Sequence, residues 1–195
     1  YIKHILPKDR DGSPLHPKLC LHLFGEGDKP EFSGATEKGQ INALREYIKK
    51  GLKPDIWWLD AGWYPCDYHW DHVGTWEENP VNWPNGIERL GEECEKQGVD
   101  FLLWFEPERV RPGTWLADNH PEWLLKGSNP DDINMLLDLG NREANDWLIN
   151  HVDRLIKKYK VKIYRQDFNF DPAPIWEHNE ADDRVGAMEN LHIQG

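Results

Sequence analysis

The sequence predicts an α/β fold built on a parallel β-sheet, and three observations support this. Short apolar runs alternate along the chain with segments of helical periodicity, as in successive strand–helix units. Three of the apolar runs end at a carboxylate, namely Asp60, Glu106 and Asp167. The carboxyl ends of parallel strands lie at one edge of a sheet, where the active sites of such folds collect. We therefore expect these acids to share one site.

Each predicted element follows from a local pattern. The predicted strands are apolar runs that end at turn residues, and they span 17–24, 56–59, 99–105 and 162–169. The predicted helices show apolar residues at helical spacing, and they span 36–51, 86–96 and a segment that Asn141 caps. A further helix is expected to begin within 182–195. The remaining predictions are a long aromatic loop over 61–84, and a loop-like segment over 109–135 with a helical turn near 120–123 and an extended run at 135–139.

The composition argues against several classes of function. The chain has 35 Asp and Glu against 23 Lys and Arg, so we expect no nucleic-acid partner. It has no apolar run of 18 residues, so no membrane span is expected, and the lack of a secretory pattern after Tyr1 favours a cytoplasmic location without fixing it. The scattered Cys20, Cys66 and Cys94 predict plain thiols, and the dispersed histidines give no zinc-site spacing. We predict no metal and no cofactor.

Carboxylates grouped with tryptophan, cationic and amide side chains favour glycoside hydrolysis. That chemistry needs one ionised carboxylate and one protonated carboxyl group. Arg165 lies two residues before Asp167, on the same face of the predicted strand, and we expect it to keep Asp167 ionised. Asn169 is expected to hydrogen-bond a sugar hydroxyl. The competing interpretation is that Arg165 and Asp167 form a buried ion pair with a structural role alone.

Structural roles would also explain the remaining acids. Asp60 is expected at the site, but a helix cap or loop anchor would account for it as well. Glu106 and Glu108 flank a proline, and we expect one to face the site and the other to pair with Arg109 or Arg111. Glu106 is the one that we assign to the site.

The eleven tryptophans are the main anomaly of the composition. Several lie in polar segments, where an indole ring suits stacking on the apolar face of a sugar. We expect Trp63 and Trp104 to be such platforms, and we assign Trp57 and Trp58 to core packing.

In these segments the chain resembles the α-galactosidases of glycoside hydrolase family 36, within the melibiase group. The matching segments run in family order over most of residues 17–195, and they are Trp58–Tyr64, Leu103–Val110, His120–Leu125, Leu137–Asn141 and Tyr164–Asn169. The resemblance implies a TIM (β/α)₈ barrel of which about the first four βα units are present, with residues 1–16 as a lead-in segment and 17–195 as the N-terminal part of the catalytic barrel. It also implies hydrolysis of terminal α-linked galactose from oligosaccharides or glycoconjugates, with retention, through a glycosyl-enzyme intermediate.

The resemblance also implies residue roles. Asp167 matches the nucleophile, and Asp60 matches a galactose-binding acid. Trp104 and Arg165 match residues that line the sugar pocket, although many members have Lys where this chain has Arg165. Asn169 keeps the amide of the nucleophile motif.

Two positions depart from the family pattern. Many members have a second Asp at the position of Ala61 and an aromatic residue at the position of Gln166, so an α-N-acetylgalactosaminidase is a second candidate. Members place the acid/base Asp on a later strand that this chain does not reach, so we expect the isolated chain to have little or no hydrolase activity. A magnesium-dependent barrel enzyme of enolase type and a non-catalytic carbohydrate-binding fragment are the remaining candidates. Homo-oligomerisation of the full-length protein stays open.

Overall fold

The structure is a computed structural model that describes residues 5–8, 11–67, 69–70 and 72–195. Its strands are β1 (Cys20–His22), β2 (Ile56–Leu59), β3 (Asp100–Phe105), β4 (Arg109–Val110), β5 (Leu124–Leu125), β6 (Met135–Leu137) and β7 (Ile163–Gln166). Its helices are α1 (Glu37–Lys49), α2 (Glu88–Gln97), α3 (Trp115–Asn119), α4 (Arg142–Tyr159), α5 (Ala173–Asn179) and α6 (Ala187–Gln194), with a 3₁₀ turn at Pro121–Trp123. Within the described ranges, none of the helices has the length and apolarity needed to cross a membrane.

The main sheet contains four parallel strands in the order β1-β2-β3-β7. These are the four predicted strands, so the predicted parallel α/β sheet is confirmed. The first and last strands are shorter than expected, since they cover Cys20–His22 rather than 17–24 and Ile163–Gln166 rather than 162–169. The register pairs Leu59 with Leu103 and Phe105 with Gln166. The carboxyl ends of β2, β3 and β7 therefore lie side by side, as the clustering of the acids requires.

Strand alternation separates a helix-facing side of this sheet from an opposite side. Trp57 is fully buried, and its indole N–H donates to Gln40 Oε1 of α1 at 2.9 Å. Trp58, the next residue, points to the opposite side because successive side chains alternate in a strand. Asp60 lies two residues after Trp58 and therefore points to the same side of the sheet as Trp58. The candidate site is built on the side that faces away from the helices.

The helix ends agree with the predicted caps. The Thr36 hydroxyl accepts from the N–H of Gly39 at 3.1 Å, and the Asn141 side chain accepts from the N–H of Glu143 at 2.9 Å. Such caps contribute about 1 kcal/mol each to stability. Helix α2 ends at Gly98, whose φ of 63° is the left-handed conformation that glycine adopts without strain.

Residues 109–140 differ most from the prediction. The segment forms a three-stranded antiparallel sheet in the order β4-β6-β5. It shares a second core with helix α4, made of Val110, Leu116, Trp123, Met135, Leu137, Ala144 and Leu148. The helical turn and the extended run agree with the prediction, but α3, β4 and β5 were not predicted. Helix α5 was missed as well. Strands of two residues are too short for an alternating pattern to appear in the sequence.

The loop over 61–84 is largely core rather than an exposed aromatic surface. Trp63, Tyr64, Trp76 and Trp83 are each at most 2% exposed. The loop is tied to α4, because a ring nitrogen of His151 lies 2.7 Å from the carbonyl of Trp76. Trp63 and Trp76 pack against Phe105, so this loop covers the carboxyl end of β3.

Candidate active site

Asp167 lies directly after β7, and its backbone and carboxylate are both fixed. Its N–H donates to the carbonyl of Phe105 at 2.8 Å, which keeps β7 paired with β3 up to this residue. The carboxylate accepts from Trp104 Nε1 at 2.9 Å, from the N–H of Phe168 at 3.0 Å and from Asn169 Nδ2 at 3.3 Å. Three N–H donors thus converge on one carboxylate at the carboxyl edge of the sheet.

The pKa of Asp167 lies below its ordinary value. Partial burial acts to raise it, but hydrogen bonds from Trp104, Phe168 and Asn169 favour the ionised form and outweigh burial. The charge of Arg165 adds to the lowering. The carboxylate is therefore ionised at neutral pH, as a nucleophile must be.

Arg165 lies between Asp167 and the ring of Trp58. Its guanidinium is 3.9 Å from Asp167 Oδ2 and 4.7 Å from the Trp58 ring centroid. The side chains of Arg165 and Asp167 are 42% and 32% exposed, so they do not form a buried pair with a structural role alone. His22 stacks on Trp58 with 5.0 Å between ring centroids.

Trp58 is predicted to lie in the core, but the structure places it beside Arg165 at the site. The signal is present in the sequence, since Trp58 is two residues before Asp60 and shares its side of the strand. Trp57 is predicted to lie in the core as well, and its complete burial agrees with that.

Asp60 follows β2 and faces the same side. Its Oδ1 accepts from the N–H of Ala61 at 2.8 Å, and its Oδ2 lies 4.0 Å from His22 Nδ1. Burial raises the pKa of Asp60, although the Ala61 N–H and the charges of His22 and Arg165 offset part of the rise. The negative charge of Asp167 acts on Asp60 in the same direction as burial, so the two acids belong to one electrostatic unit.

Glu106 supports the site from inside the protein. It is fully buried and pairs with Arg109, whose Nη2 is 2.6 Å from Glu106 Oε2. It also accepts from the backbone N–H of Asn169 at 3.0 Å. We expected the glutamate outside the site to pair with Arg109 or Arg111, but the pairing residue is Glu106 itself. Its contacts orient Asn169, which in turn donates to Asp167.

Trp63 and Trp104 do not expose a ring face. Trp63 is 0% exposed and donates its indole N–H to the carbonyl of Trp104 at 2.9 Å. Trp104 is 1% exposed and reaches Asp167 through its N–H edge. The expected role as sugar platforms does not fit this burial. Trp63 packs in the core, and Trp104 acts on the carboxylate.

The two departures from the family pattern lie in different surroundings. Ala61 is 2% exposed and belongs to the main core. The position therefore carries no charge and presents almost no surface to solvent. Gln166 lies at the end of β7 and donates to Glu108 Oε1. Among the described residues, no three His, Cys, Asp or Glu side chains are grouped so as to hold a metal ion.

Comparison with known families gives a consistent result. The family model described as Melibiase matches residues 36–189. α-Galactosidase Mel36A of Lactobacillus acidophilus is 26% identical over 194 residues, which cover 94% of this chain and 26% of that protein. Probable α-galactosidase G of Aspergillus terreus is 30% identical over 148 residues, covering 68% of this chain and 20% of that protein. The chain thus spans about a quarter of the length of these curated relatives.

Solved structures show the same relationship in the fold. The family 36 α-galactosidase AgaA of Geobacillus stearothermophilus superposes with a TM-score of 0.75 at 21% identity, over 91% of this chain and 25% of that one. The α-galactosidase of Lactobacillus brevis gives 0.72 at 22% identity, over 90% and 23%. These likenesses confirm the predicted partial TIM barrel. The chain belongs to the melibiase family, whose model matches most of its length.

Proposed function

We propose that Asp167 is the nucleophile of a retaining glycoside hydrolase that removes terminal α-linked galactose from oligosaccharides. The observation that carries this proposal is the convergence of Trp104, Phe168 and Asn169 on the Asp167 carboxylate. Those donors keep the group ionised at the carboxyl edge of a parallel sheet, where the reacting centre of a barrel enzyme lies.

The proposed reaction has two displacements at the anomeric carbon. An Asp167 oxygen forms a bond to that carbon while its bond to the leaving oxygen breaks, and a carboxylic acid gives its proton to the leaving group. The same acid, now a base, then takes a proton from water as water cleaves the ester to Asp167. The resemblance predicts this acid/base on a later strand than β7, and its identity stays a prediction.

The side chains around Asp167 have separate proposed roles. Arg165 and Asp60 flank the carboxylate and offer one donor and one acceptor group to sugar hydroxyls. Arg165 is half exposed and is held over Trp58, so its position is restricted before any sugar binds. Asn169 shares its amide between Asp167 and Glu106.

The relatives support the sugar class. The curated proteins cited above are named α-galactosidases, and AgaA variants were solved in complex with raffinose and with stachyose. A magnesium-dependent enzyme and a non-catalytic fragment have no such support among these relatives. Galactose is the first choice of substrate, and the lost acid at Ala61 makes the N-acetylgalactosamine series the first comparison to run.

The test is turnover by the longest natural chain that contains these 195 residues. Hydrolysis of p-nitrophenyl α-galactoside is followed by proton NMR, with the β-galactoside and the α-N-acetylgalactosaminide as matched comparisons. We expect α-galactose to appear before mutarotation produces the β anomer. Initial release of β-galactose, loss of turnover in a chelator, or sugar binding without turnover would each contradict the proposal.

A further inference from the structure

Gln166 and Glu108 meet on the side of the sheet that faces away from the site. The side-chain amide of Gln166 donates to Glu108 Oε1, and the Tyr164 hydroxyl donates to Gln166 Oε1 at 3.3 Å. Tyr164 and Gln166 line one wall of a cavity of about 400 Å³, and α4 provides the other walls through Leu148, Ile149, Val152, Asp153 and Ile156. Gln166 is thus next to Asp167 in sequence, but its side chain lies on the opposite face of the sheet.

Glu108 is itself anchored on the small sheet. It is 4% exposed, and its carbonyl accepts from the N–H of Leu137 of β6 at 2.8 Å. The next residue, Arg109, pairs with Leu136 in the antiparallel ladder. The hydrogen bond from Gln166 therefore ties the end of β7 to the small antiparallel sheet.

The end of β7 has two such attachments. Asp167 N–H donates to the carbonyl of Phe105, which fixes the backbone on β3. Gln166, one residue earlier, fixes the strand through its side chain on the opposite face. Because adjacent side chains in a strand point to opposite faces, holding Gln166 also sets the direction of Asp167.

We propose that Gln166 and Glu108 form a clamp that positions Asp167 for attack, with neither residue touching the substrate. This inference rests on the proposed nucleophilic role of Asp167. A displacement of about 1 Å at a reacting group is enough to reduce a rate about a hundredfold, so a positioning contact is detectable in the rate.

The charge on Glu108 gives the clamp a second readout. Burial raises the pKa of Glu108 to about 7, and the negative charge of Glu106 adds to this, while the N–H donors of its own backbone and of Gln166 oppose it. Tyr164 faces it from β7, Arg109 follows it on β4, and Asp153 on α4 lines the adjoining cavity. An ionised acceptor makes the stronger hydrogen bond, so the clamp tightens as Glu108 loses its proton.

The experiment measures the rate of covalent labelling by 2-deoxy-2-fluoro-α-galactosyl fluoride, by intact mass, from about pH 6 to about pH 8, on either side of the Glu108 pKa. The variants are Gln166→Met, which keeps the length but removes the donor, and Glu108→Gln, which cannot ionise. The exchange Glu108→Gln with Gln166→Glu restores a carboxyl–amide pair in reverse. Asp153→Asn is the matched control, since Asp153 lines the adjoining cavity but bonds Lys157 rather than Gln166 or Glu108.

We expect Gln166→Met to lower the maximal labelling rate about tenfold without weakening reagent binding, and the exchange to recover most of it. The ratio of wild-type to Glu108→Gln rates should rise across the same pH range. Unchanged labelling in Gln166→Met, or a loss that appears only as weaker reagent binding, would overturn the clamp.

A second measurement separates failure of the clamp from failure of the proposed function. Hydrogen exchange of the Asp167 amide, followed by NMR, reports the end of β7 without any chemistry. We expect exchange about tenfold faster in Gln166→Met than in wild type and unchanged in Asp153→Asn. If wild type is not labelled, the nucleophile assignment fails and this exchange rate decides the clamp. An unchanged exchange rate would refute it.

Discussion

Asp167 and Glu108 lie on opposite sides of the same sheet edge, and their carboxyl groups behave in opposite ways. Asp167 is about one-third exposed and receives three N–H donors, and its pKa is lowered. Glu108 is almost fully buried, its Oε2 has no hydrogen-bond partner among the described residues, and its pKa is raised to about 7. Donor number and solvent access, rather than position at a strand end, thus decide which of the two acids is held ionised.

Glu93 shows that burial does not by itself decide the direction of a pKa shift. Its side chain is 7% exposed, but Arg45 binds it with both Nε and Nη2, at 2.9 and 2.6 Å. These hydrogen bonds outweigh burial and lower the pKa of Glu93 to about 2. The three acids therefore differ chiefly in the donors that the fold supplies to each.

The largest effect is expected from Asp167→Asn. Without an ionised carboxylate the first displacement fails, and we expect turnover to fall at least about a thousandfold. In Asp167→Gly, added azide should restore product formation from an activated α-galactoside, as β-galactosyl azide, because removing the side chain leaves room for a small anion. Asp171→Asn, in the loop that follows, is the matched control. Substantial activity in Asp167→Asn, or rescue that gives an α-azide, would contradict the assignment.

Glu108→Gln tests the opposite member of the pair through stability. Between the unfolded value of 4.5 and the folded value of about 7, the folded state holds a proton that the unfolded chain has lost. The free energy of unfolding therefore falls as pH rises through this window, and the cost is fully present above about pH 7. We therefore compare the free energies of unfolding of Glu108→Gln and wild type by urea denaturation. We expect the difference between them to shift in favour of the variant by about 3 kcal/mol from about pH 4 to about pH 8.

The matched control for that measurement is Glu31→Gln, which replaces an exposed glutamate. Its stability difference from wild type should not change with pH by more than about 0.5 kcal/mol. A difference between Glu108→Gln and wild type that stays constant across the same pH range would show that Glu108 is not held in a proton-binding environment.

Arg45→Met tests the third acid. Removing the Arg45 guanidinium leaves the Glu93 charge buried with fewer hydrogen-bond donors. We expect the free energy of unfolding to fall by about 2 kcal/mol at about pH 7. A lowered folded pKa stabilises the protein above the unfolded value of 4.5, and this contribution is lost as pH falls toward 2. The loss measured by urea denaturation should thus shrink below pH 4.5. Lys49→Met, at the exposed pair with Glu46, is the control, and an equal loss there would undo the contrast.

Trp104→Phe should give the smallest effect. It removes one of the three donors and keeps the aromatic packing, so we expect about a tenfold lower turnover number. The pKa of Asp167 should rise toward its ordinary value, which moves the acidic limb of the pH–rate profile to higher pH. Trp63→Phe is the control for the change in packing. It loses a hydrogen bond from an indole N–H to a backbone carbonyl, but no donor to Asp167. If the acidic limb does not move, the hydrogen bond from Trp104 does not lower the pKa of Asp167.

Much of the parallel sheet could be predicted from the sequence, because its strands are apolar runs that end at acids and alternate with capped helices. Asp60 and Asp167 could be placed at one edge by the same pattern. The side chain of Trp58 could have been placed as well, by counting two residues back from Asp60. The alternation in β2 is the relevant signal, and it predicts the side of the tryptophan as well as that of the acid.

Other features depend on contacts that a sequence does not show. The burial of Trp63 follows from a loop path that brings its indole to the carbonyl of Trp104, 41 positions away. The pairing of Arg109 with Glu106 rather than Glu108 depends on which way the chain turns at Pro107. The two-residue strands β4 and β5 exist because β6 lies between them. Each of these is a tertiary effect that overrides local pattern.

The nucleophilic role of Asp167 is tested most directly by identifying the residue that 2-deoxy-2-fluoro-α-galactosyl fluoride labels. The longest natural chain containing this segment is incubated with the reagent, weighed intact and mapped by peptide mass spectrometry. We predict a single sugar adduct on Asp167, which is absent in Asp167→Asn. An adduct on another carboxylate, or no adduct on a folded protein with either the galactose or the N-acetylgalactosamine reagent, would contradict it.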